Sequence, residues 1–431
     1  MNIFSLKDHD ISFVLNSLRR PVTDTAILEE TVTSVFTAVK TGGDAAVLDL
    51  TLRYDRAVLK SLKVTKAEIA AAEKEISPKL KMAIRTAMEN IELFHRSQLA
   101  EEKIVGTMPG VWCWQRPVPI ERVGLYIPGG TAPLFSTVMM LAVPARVAGC
   151  SEVVLCTPPR RDGTIHPAIL YTASLSGVTT IFKAGGIQAI AAMAYGTESV
   201  PRVDKIFGPG NQWVTAAKQM ASKDGIAIDL PAGPSEVMIV ADDTAIPAFI
   251  ASDMLSQAEH GDDSQAVLVT TSAAVSAGVM VEIDKQSAGL KRLETINKSL
   301  ASSAIVIVED LDSVVEIMNA YAPEHLILSV ADPSGLASRV RNAGSVFLGN
   351  YSPESAGDYA SGTNHTLPTN GFARGWSGVS LDSFMKKITF QNITAAGLLK
   401  LGPVVETLAE AEQLDAHANA IRVRIDQINK K

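Results

Sequence analysis

The segment from Ser352 to His365, which reads SPESAGDYASGTNH, is rich in residue types that can do chemistry. It combines acids, hydroxyls, glycines and one imidazole, and it follows an apolar run, Gly344 to Gly349, that predicts a short buried strand. Loops at strand ends often carry functional residues, so Asp358 and His365 are candidates for a site. The alternative is a solvated loop whose polar side chains only satisfy their own backbone.

A second group of polar residues has the spacing of metal ligands. Gln257 and His260 are three positions apart at the end of a predicted helix, so their side chains share a face and suit one cation. Asp358 would add a carboxylate, and His417 of a predicted terminal helix an imidazole. An amide, two imidazoles and a carboxylate suit zinc best, with manganese or cobalt as alternatives. Sequence spacing does not bring His417 to His260, and each histidine has a hydrogen-bonded structural role as its alternative.

Glu324 and His325 are two adjacent titratable residues between a predicted helix and a predicted strand. Neighbouring groups in a turn can act as two separate bases of one reaction, the imidazole because its ordinary pKa is near neutral, and the carboxylate through partial burial. An exposed helix end is the alternative interpretation.

Three glycine-rich turns each precede a predicted helix, whose free backbone N–H groups could bind phosphate or another anion. None is a full dinucleotide fingerprint, because the nearest, Gly208-x-Gly210, has Trp213 in place of the third glycine. Parallel strands would bring all three turns to one sheet edge, which favours a nucleotide or a phosphorylated ligand there. The turns are Ile127–Gly130, Ala184–Gly186 and Phe207–Asn211.

The elements that must position these residues follow an α/β rhythm. Residues 25–98 have helical periodicity, whereas residues 111–119 are predicted as an aromatic, proline-rich bend. Beyond the bend, short apolar runs alternate with amphipathic helices in two successive layers, which predicts parallel sheets. Residues 403–431 are predicted as one helix with an apolar stripe that requires a partner surface. The predicted strands are 123–127, 152–156, 179–182, 205–207, 237–240, 266–270, 304–308, 326–329 and 345–348.

Length and composition limit the class of protein. With 431 residues, 47% of them hydrophobic and 20% charged, the chain is typical of a globular protein with at least two domains. A net charge of -7 argues against nucleic acid and anionic membranes as partners, and favours small molecules. No apolar run approaches the roughly 18 residues of a membrane span, and the first residues resemble neither a secretory nor a transit signal, so we expect a cytoplasmic location. Three cysteines without a CxxC spacing argue against a disulfide framework, and Cys113 and Cys150 have no assigned role.

Six segments together resemble the signature motifs of the histidinol dehydrogenase family. They occur in that family's order and span most of the chain. The segments are GLYIPGG at Gly124–Gly130, FGPGN at Phe207–Asn211, DLPAGPSE at Asp229–Glu236, QAEH at Gln257–His260, APEHL at Ala322–Leu326 and the segment Ser352–His365.

The resemblance implies an enzyme that oxidises L-histidinol to L-histidine through an aldehyde, with one zinc ion per subunit and two NAD reduced in succession. It also implies a homodimer in which the terminal helix of one subunit completes the site of the other. His325 matches the base that takes the alcohol proton, and Glu324 the residue that activates water. The residues that match the family's metal ligands are Gln257, His260, Asp358 and His417. The residues that match substrate contacts are these four metal ligands together with Ser235, His325, His365 and Glu412. The residues that match contacts to NAD are Tyr126, Gln188 and Asn211.

The predicted fold class is therefore α/β, with two incomplete Rossmann-like parallel-sheet domains, a helical N-terminal segment and a helical C-terminal dimerisation tail. The predicted division is an arm of residues 1–22, a discontinuous α/β domain of residues 23–122 and 237–378, an NAD-binding domain of residues 123–236, and a tail of residues 379–431.

Two other functions compete with this interpretation. An NAD-dependent dehydrogenase of the same superfamily could act on another polar alcohol, such as a sulfonated diol, but His365 and Glu412 suit a substrate that carries an imidazole. A metal-binding or nucleotide-sensing protein without catalysis would not need the adjacent Glu324 and His325. The sequence fixes neither the native metal, nor the order of binding, nor any regulation.

Overall fold

The computed structural model describes residues 1–20, 25–129, 132–230 and 233–430, and for residues 25–27 the backbone alone. Three motif residues, Gly130, Pro231 and Ala232, lie outside the described residues, as does the predicted boundary between residues 22 and 23. By its internal contacts the chain divides into two compact units, Met1–Gln98 with Ile120–Phe384 and Leu99–Pro119 with Met385–Lys431.

The strands in chain order are β1 (Asn2–Ser5), β2 (Val105–Met108), β3 (Val111–Pro119), β4 (Arg122–Tyr126), β5 (Glu152–Thr157), β6 (Thr180–Lys183), β7 (Lys205–Phe207), β8 (Ala227–Ile228), β9 (Glu236–Ala241), β10 (Gln265–Thr270), β11 (Ala304–Ile307), β12 (His325–Ser329), β13 (Ser345–Leu348) and β14 (Met385–Ile393). The α-helices are α1 (Ile11–Ser17), α2 (Thr25–Asp55), α3 (Lys66–Glu75), α4 (Pro78–Arg96), α5 (Phe135–Ala148), α6 (Pro167–Ser176), α7 (Gly186–Tyr195), α8 (Gln212–Lys223), α9 (Pro247–Ala258), α10 (Ala273–Ser287), α11 (Leu293–Ser302), α12 (Leu311–Tyr321), α13 (Pro333–Ala337), α14 (Glu354–Tyr359), α15 (Ala395–Ala411) and α16 (Asp415–Asn429).

The first unit contains two parallel sheets. The five-stranded sheet has the order β6-β5-β4-β7-β8, and the six-stranded sheet has the order β1-β11-β10-β9-β12-β13. All neighbouring strands in both sheets are parallel. In the five-stranded sheet the chain starts in the middle, moves outward over two strands, and returns to the other side of the first strand, which is the strand order of a Rossmann half. Strands β9 to β13 of the six-stranded sheet follow the same order, and β1 adds a sixth strand at the edge beside β11.

Helices cover both faces of each sheet, as parallel sheets require. In the five-stranded sheet, α2, α7 and α8 pack on one face, with Tyr126, Cys156 and Phe182 in that core. In the six-stranded sheet, α9, α10 and α11 bury the face that carries Val237 and Ile327. Helices α1 and α12 bury the opposite face. Side chains that alternate along β9 and β12 therefore point to different sets of helices.

Helix α2 is interrupted at Gly43, where the backbone has φ 53 and ψ -138. The break brings the carboxylate of Glu198 to the amide of Asp44, which donates to it at 2.7 Å. A Cβ at position 43 would lie 2.3 Å from that carboxylate, so glycine is required both by the dihedral angle and by the contact.

The second unit corrects two predictions. The segment Val111–Pro119 is a strand and not a bend, because it pairs in antiparallel register with β14 along its whole length. The prediction of one helix over residues 403–431 is also wrong: the chain forms α15 and α16, separated by a turn in which Gln413 has a φ of 61. The antiparallel order is β14-β3-β2, so the tail contributes a strand as well as two helices.

The α/β rhythm beyond residue 120 is confirmed, and each predicted strand there lies within two residues of an observed one. The sequence interpretation missed helices α10 and α11, and it missed strand β1, which joins the edge of the six-stranded sheet beside β11. The division into the four predicted domains stays a prediction. Among the described residues, no helix is long and apolar enough to cross a membrane.

Candidate functional site

The end of α9 carries the first part of the candidate site. Gln257 is fully buried, yet neither polar atom of its side chain has a hydrogen-bond partner among the described residues. His260 follows one turn later, and its backbone amide donates to the carbonyl of Gln257. A buried amide side chain without partners is costly, so it marks a position at which a ligand is expected.

The short helix α14 carries the second part. Glu354 and Asp358 lie four residues apart, on one face of this helix, and both side chains are buried. Together with His260 they can each present one ligand atom such that all three atoms lie within 4.8 Å of one another. Two carboxylates and an imidazole at this separation suit a divalent cation, and the unpartnered Gln257, three residues before His260, is a further candidate ligand.

Glu324 and His325 are placed where α12 gives way to β12. The helix ends at Ala322, which has a left-handed φ of 53, and His325 is the first residue of the strand. The Glu324 carboxylate accepts a hydrogen bond from the backbone N–H of Glu236 at 2.9 Å. His325 Nδ1 lies 3.4 Å from the Glu236 carbonyl oxygen, and since a carbonyl only accepts, Nδ1 carries the proton.

His325 lies among three carboxylates. Its Nε2 is 3.4 Å from Asp358 Oδ1, and its Nδ1 is 3.7 Å from Glu324 Oε2 and 3.9 Å from Glu354 Oε1. Nε2 has no well-formed hydrogen bond within the described part of the chain. The imidazole therefore connects the predicted bases to the predicted metal ligands.

Burial and mutual repulsion shift the titration of this cluster. Burial raises the pKa of Glu324 and that of Glu354 to about 8 each, against the opposing effect of His325. Burial acts to lower the pKa of His325, but Glu354, Glu324 and Asp358 outweigh it and raise this pKa to about 10. For Asp358, the hydrogen bond and charge of His325 outweigh burial and hold the pKa below its ordinary value. A cluster with this excess of acid favours a bound cation.

His365 links this cluster to the other sheet. Its Nδ1 donates to the Asp358 carbonyl oxygen at 2.8 Å, and its Nε2 lies 3.2 Å from the hydroxyl of Thr137 on α5. Next to it, the side chain of Asn364 donates to the Met140 carbonyl of the same helix. Helix α5 follows the first glycine turn, so the loop that carries Asp358 is attached to an element of the predicted NAD-binding edge.

The three glycine turns follow β4, β6 and β7 and meet at the carboxyl edge of the five-stranded sheet, as predicted. A Cβ at Gly129 or Gly185 would lie 2.2 Å or 2.4 Å from the ring of Pro158, so both turns pack closely against one proline. Neither α5 nor α7 has a side-chain N-cap in the structure, although the first N–H of α5, that of Phe135, donates to the Pro133 carbonyl, and the first N–H of α7, that of Gly186, donates to the phenol oxygen of Tyr126. The positive end of each helix dipole still faces this edge of the sheet, where it would attract an anion.

The predicted NAD contacts lie at these turns. Tyr126 ends β4, and its phenol oxygen accepts a hydrogen bond from the N–H of Gly186. Gln188 is buried in the first turn of α7. Asn211 is the N-cap of α8, and its side-chain oxygen accepts from the amides of Trp213 and Val214. The N-terminus of α8 is thus occupied by its own cap, unlike those of α5 and α7.

The remaining predicted site residues are found in different places. Ser235 directly precedes β9, and its carbonyl accepts from the amide of Gln265. Glu412 and His417 belong to the second unit, where they are exposed on either side of the turn that separates α15 from α16. The cluster described above consists of residues of the first unit.

Glu354 is the member of this cluster that the sequence interpretation missed. It lies inside the motif Ser352–His365, and its signal was its position four residues before Asp358, which places both acids on one helical face. A turn-rich segment hid this relationship, because the motif was interpreted as a loop, whereas it contains the six-residue helix α14.

Comparison with known proteins gives one consistent result. A protein-family model described as histidinol dehydrogenase matches residues 18–425. The histidinol dehydrogenase of Bacteroides fragilis is 59% identical over 413 residues, which cover 96% of each chain. That of Xylella fastidiosa is 51% identical over 427 residues, 99% of each chain.

A solved structure agrees with this similarity. The crystal structure of histidinol dehydrogenase from Elizabethkingia anophelis matches with a TM-score of 0.97 and 50% sequence identity, and the match covers 100% of this chain and 99% of that one. The likeness therefore extends over both compact units and over all the motifs described above.

Proposed function

This chain belongs to the histidinol dehydrogenase family, and from that membership we propose how its own residues carry out the reaction. It is an NAD-dependent oxidoreductase of histidine biosynthesis that oxidises histidinol. The observation that carries the assignment of roles is the convergence of Glu324, His325, Asp358 and His260 at one end of the six-stranded sheet.

The first oxidation requires a base for the alcohol proton. His325 has its Nδ1–H directed at the Glu236 carbonyl, so Nε2 is the atom that accepts the proton. NAD supplies the two-electron acceptor in each oxidation. The alcohol R–CH2OH becomes the aldehyde R–CHO as one hydride leaves carbon and one proton passes to His325.

The second oxidation requires water to add to the aldehyde. The Glu324 carboxylate is held by the Glu236 amide, and its pKa of about 8 lets it exchange a proton near neutral pH. It takes one proton from the attacking water, and the resulting hydrate loses a second hydride to give the carboxylic acid. In total each histidinol loses four electrons as two hydrides, which reduce two NAD to two NADH.

The metal site we propose consists of Gln257, His260 and Asp358, with His417 donated by the second subunit of a homodimer and one zinc ion per subunit. Support comes from the unpartnered amide of Gln257 and from the excess of acid around His260. A bound divalent cation would orient the imidazole and amine of the substrate, and its charge would lower the pKa of His325 toward the neutral form that a base requires. Ser235, His365 and Glu412 are the proposed further substrate contacts.

The proposed cofactor site is the carboxyl edge of the five-stranded sheet. Tyr126, Gln188 and Asn211 lie on its glycine turns, and the uncapped ends of α5 and α7 suit the pyrophosphate. A cytoplasmic location belongs to the same proposal, because the reaction consumes NAD and a biosynthetic intermediate.

The test of the reaction is the amount of NADH formed from a limiting amount of L-histidinol, with protein stripped of metal and then reloaded with zinc. We expect two NADH per histidinol, and only after zinc is restored. A folded, zinc-loaded protein that forms no NADH would contradict the assignment and call for a screen of other polar alcohols.

The homodimer with shared sites is supported by the exposed apolar side chains of α15 and α16, among them Val404, Leu408 and Val423. Mixing His417→Asn subunits with Asp358→Asn subunits should give one competent site per mixed dimer, or about a quarter of the wild-type rate after random reassortment. As a control, a mixture of His260→Asn and Asp358→Asn subunits should stay inactive. Each site takes both His260 and Asp358 from the same subunit, so every site in the mixed dimer lacks one of these two ligands. Equal rates for the two mixtures would show that each site is built from one chain.

A further inference from the structure

A buried ion pair lies across the six-stranded sheet from His325. Glu236, the first residue of β9, is 1% exposed, and both of its carboxylate oxygens accept hydrogen bonds from Arg20, from Nε at 2.6 Å and from Nη2 at 2.7 Å. Arg20 Nη2 also donates to the Tyr321 carbonyl, and the guanidinium lies 3.7 Å over the Tyr321 ring. The two parallel hydrogen bonds between the Arg20 guanidinium and the Glu236 carboxylate form a fork. With the two contacts to Tyr321, four contacts fix the position of the guanidinium.

The pair is on the opposite face of the sheet from the catalytic imidazole. Glu236 alternates with Val237, so its side chain shares the face of Met238, which packs with α1 and α12. His325 shares the face of Ile327, which packs with α9. The hydrogen-bonded link from the Arg20–Glu236 pair to the site therefore runs through the Glu236 backbone.

That backbone serves both proposed bases at once. The Glu236 N–H donates to the carboxylate of Glu324, and the Glu236 carbonyl oxygen faces Nδ1 of His325. The backbone of Glu236 thus sets the orientation of the Glu324 carboxylate and the tautomer of His325. A small rotation of its peptide groups would disturb both bases together.

We propose that Arg20 and Glu236 are a positioning pair: their fork holds the Glu236 peptide groups so that the Glu324 carboxylate and His325 Nε2 are aimed at the substrate. This inference rests on the proposed roles of Glu324 and His325. It differs from a stabilising role, because a buried Arg–Glu pair can often be replaced by apolar residues of similar size without loss of stability.

The double variant Arg20→Met with Glu236→Met separates the two roles. It removes the fork and leaves no unpaired buried charge. We expect kcat for histidinol oxidation to fall about 10- to 100-fold, with the KM for histidinol and the zinc content within about twofold of wild type. Hydrogen exchange should become faster at the Glu236 amide, which Glu324 protects in the wild type.

A matched control exists at the corresponding edge of the five-stranded sheet. Arg122 and Glu152 are the first residues of β4 and β5 and form an ion pair at 2.5 Å. The double variant Arg122→Met with Glu152→Met should retain wild-type kcat, because no proposed catalytic group depends on that edge.

Three results would overturn the proposal: an unchanged kcat in the first double variant, an equal loss of kcat in the control, or a loss of kcat that is accompanied by loss of zinc and a higher KM. If the double variant does not fold, Arg20→Lys keeps the charge without the fork, and its kcat should fall at an unchanged melting temperature. Wild-type protein assayed in parallel tests the proposed function itself, since failure there would mean no histidinol oxidation in any sample.

Discussion

Apart from the added edge strand β1, the two parallel sheets of this protein have the same strand order, but their proposed functional residues lie at opposite edges. In the five-stranded sheet the glycine turns and proposed NAD contacts follow the carboxyl ends of β4, β6 and β7. In the six-stranded sheet the titratable cluster lies at the amino ends of β9 and β12, where Glu236 and His325 begin their strands. The common topology has therefore not dictated a common position for the site.

The difference follows from the helix ends that each edge receives. At a carboxyl edge, the chain enters a helix, so N-termini with free N–H groups and partial positive charge collect there and suit the phosphates of a dinucleotide. At an amino edge, the chain has just left a helix, and the partial negative charge of C-termini favours cations. Gln257 and His260 at the end of α9 fit this rule. The proposed metal site and the proposed anion site thus lie at the two ends of the same type of unit.

The strongest test of this comparison removes a ligand at the amino edge. His260→Asn should abolish zinc retention and lower histidinol turnover by about three orders of magnitude or more, because the substrate loses its orientation. NAD binding, measured by the quenching of protein fluorescence, should be unchanged. His9→Asn is the control, since it removes an imidazole that stacks on Phe13. Loss of NAD binding in His260→Asn would show that the two edges do not act separately.

The two bases can be separated by their substrates. His325→Gln should lower the rate of alcohol oxidation about 10²- to 10⁴-fold, whereas Glu324→Gln should mainly slow oxidation of the aldehyde. Both rates are measurable as NADH formation from histidinol and from histidinaldehyde in single-turnover experiments. Equal losses of both rates in the two variants would contradict this division of labour.

A glycine variant tests the carboxyl edge. Gly129→Ala places a Cβ 2.2 Å from Pro158 Cγ, so the turn must shift, and we expect the KM for NAD to rise about tenfold at unchanged zinc content. Gly289→Ala is the matched control, because a Cβ there meets no atom within 4 Å. An unchanged KM for NAD would place the cofactor away from this turn.

The smallest expected effect concerns Asp55, an acid beside the same edge. Burial raises the pKa of its carboxyl from 3.8 to about 6, so between about pH 4 and pH 6 the folded chain holds a proton that the unfolded chain releases. Stability contributed by this group is therefore lost as pH rises through that window. Asp55→Asn should raise the melting temperature by about 2 to 4 °C at pH 8 and leave it unchanged at pH 4. An equal change at both pH values would assign the effect to packing.

The sequence predicted local features well, because they depend on neighbouring residues. The strand Lys205–Phe207 is found within its predicted bounds, since an apolar run and flanking turns define it. The structure brings the candidate residues His260, Asp358 and His325 close together. The family resemblance supplied the roles.

Features that depend on distant pairing could not be predicted. Nothing local in Val111–Pro119 reveals its partner Met385–Ile393, and an isolated segment with two tryptophans and two prolines resembles a bend. The break at Gln413 interrupts an apolar pattern that continues through it, so periodicity alone extended the helix. The position of the titratable cluster at the amino edge of the six-stranded sheet likewise depends on how α14 packs against α9. The spacing of residues in the sequence does not predict that packing.

Strand β1 has a consequence for how the chain acquires its structure. Asn2 lies beside Ala304, so this edge of the sheet cannot close until most of the chain has been synthesised. Until then, β11 would expose a row of unpaired backbone groups, the kind of edge at which wrong pairings and aggregation begin. Contacts between such distant residues also slow folding, since a long loop must close before any of them forms. Strand β1 thus pairs with the edge strand β11 only late in folding. Deleting β1 should therefore lower the yield of folded protein more than it lowers the activity of the molecules that do fold.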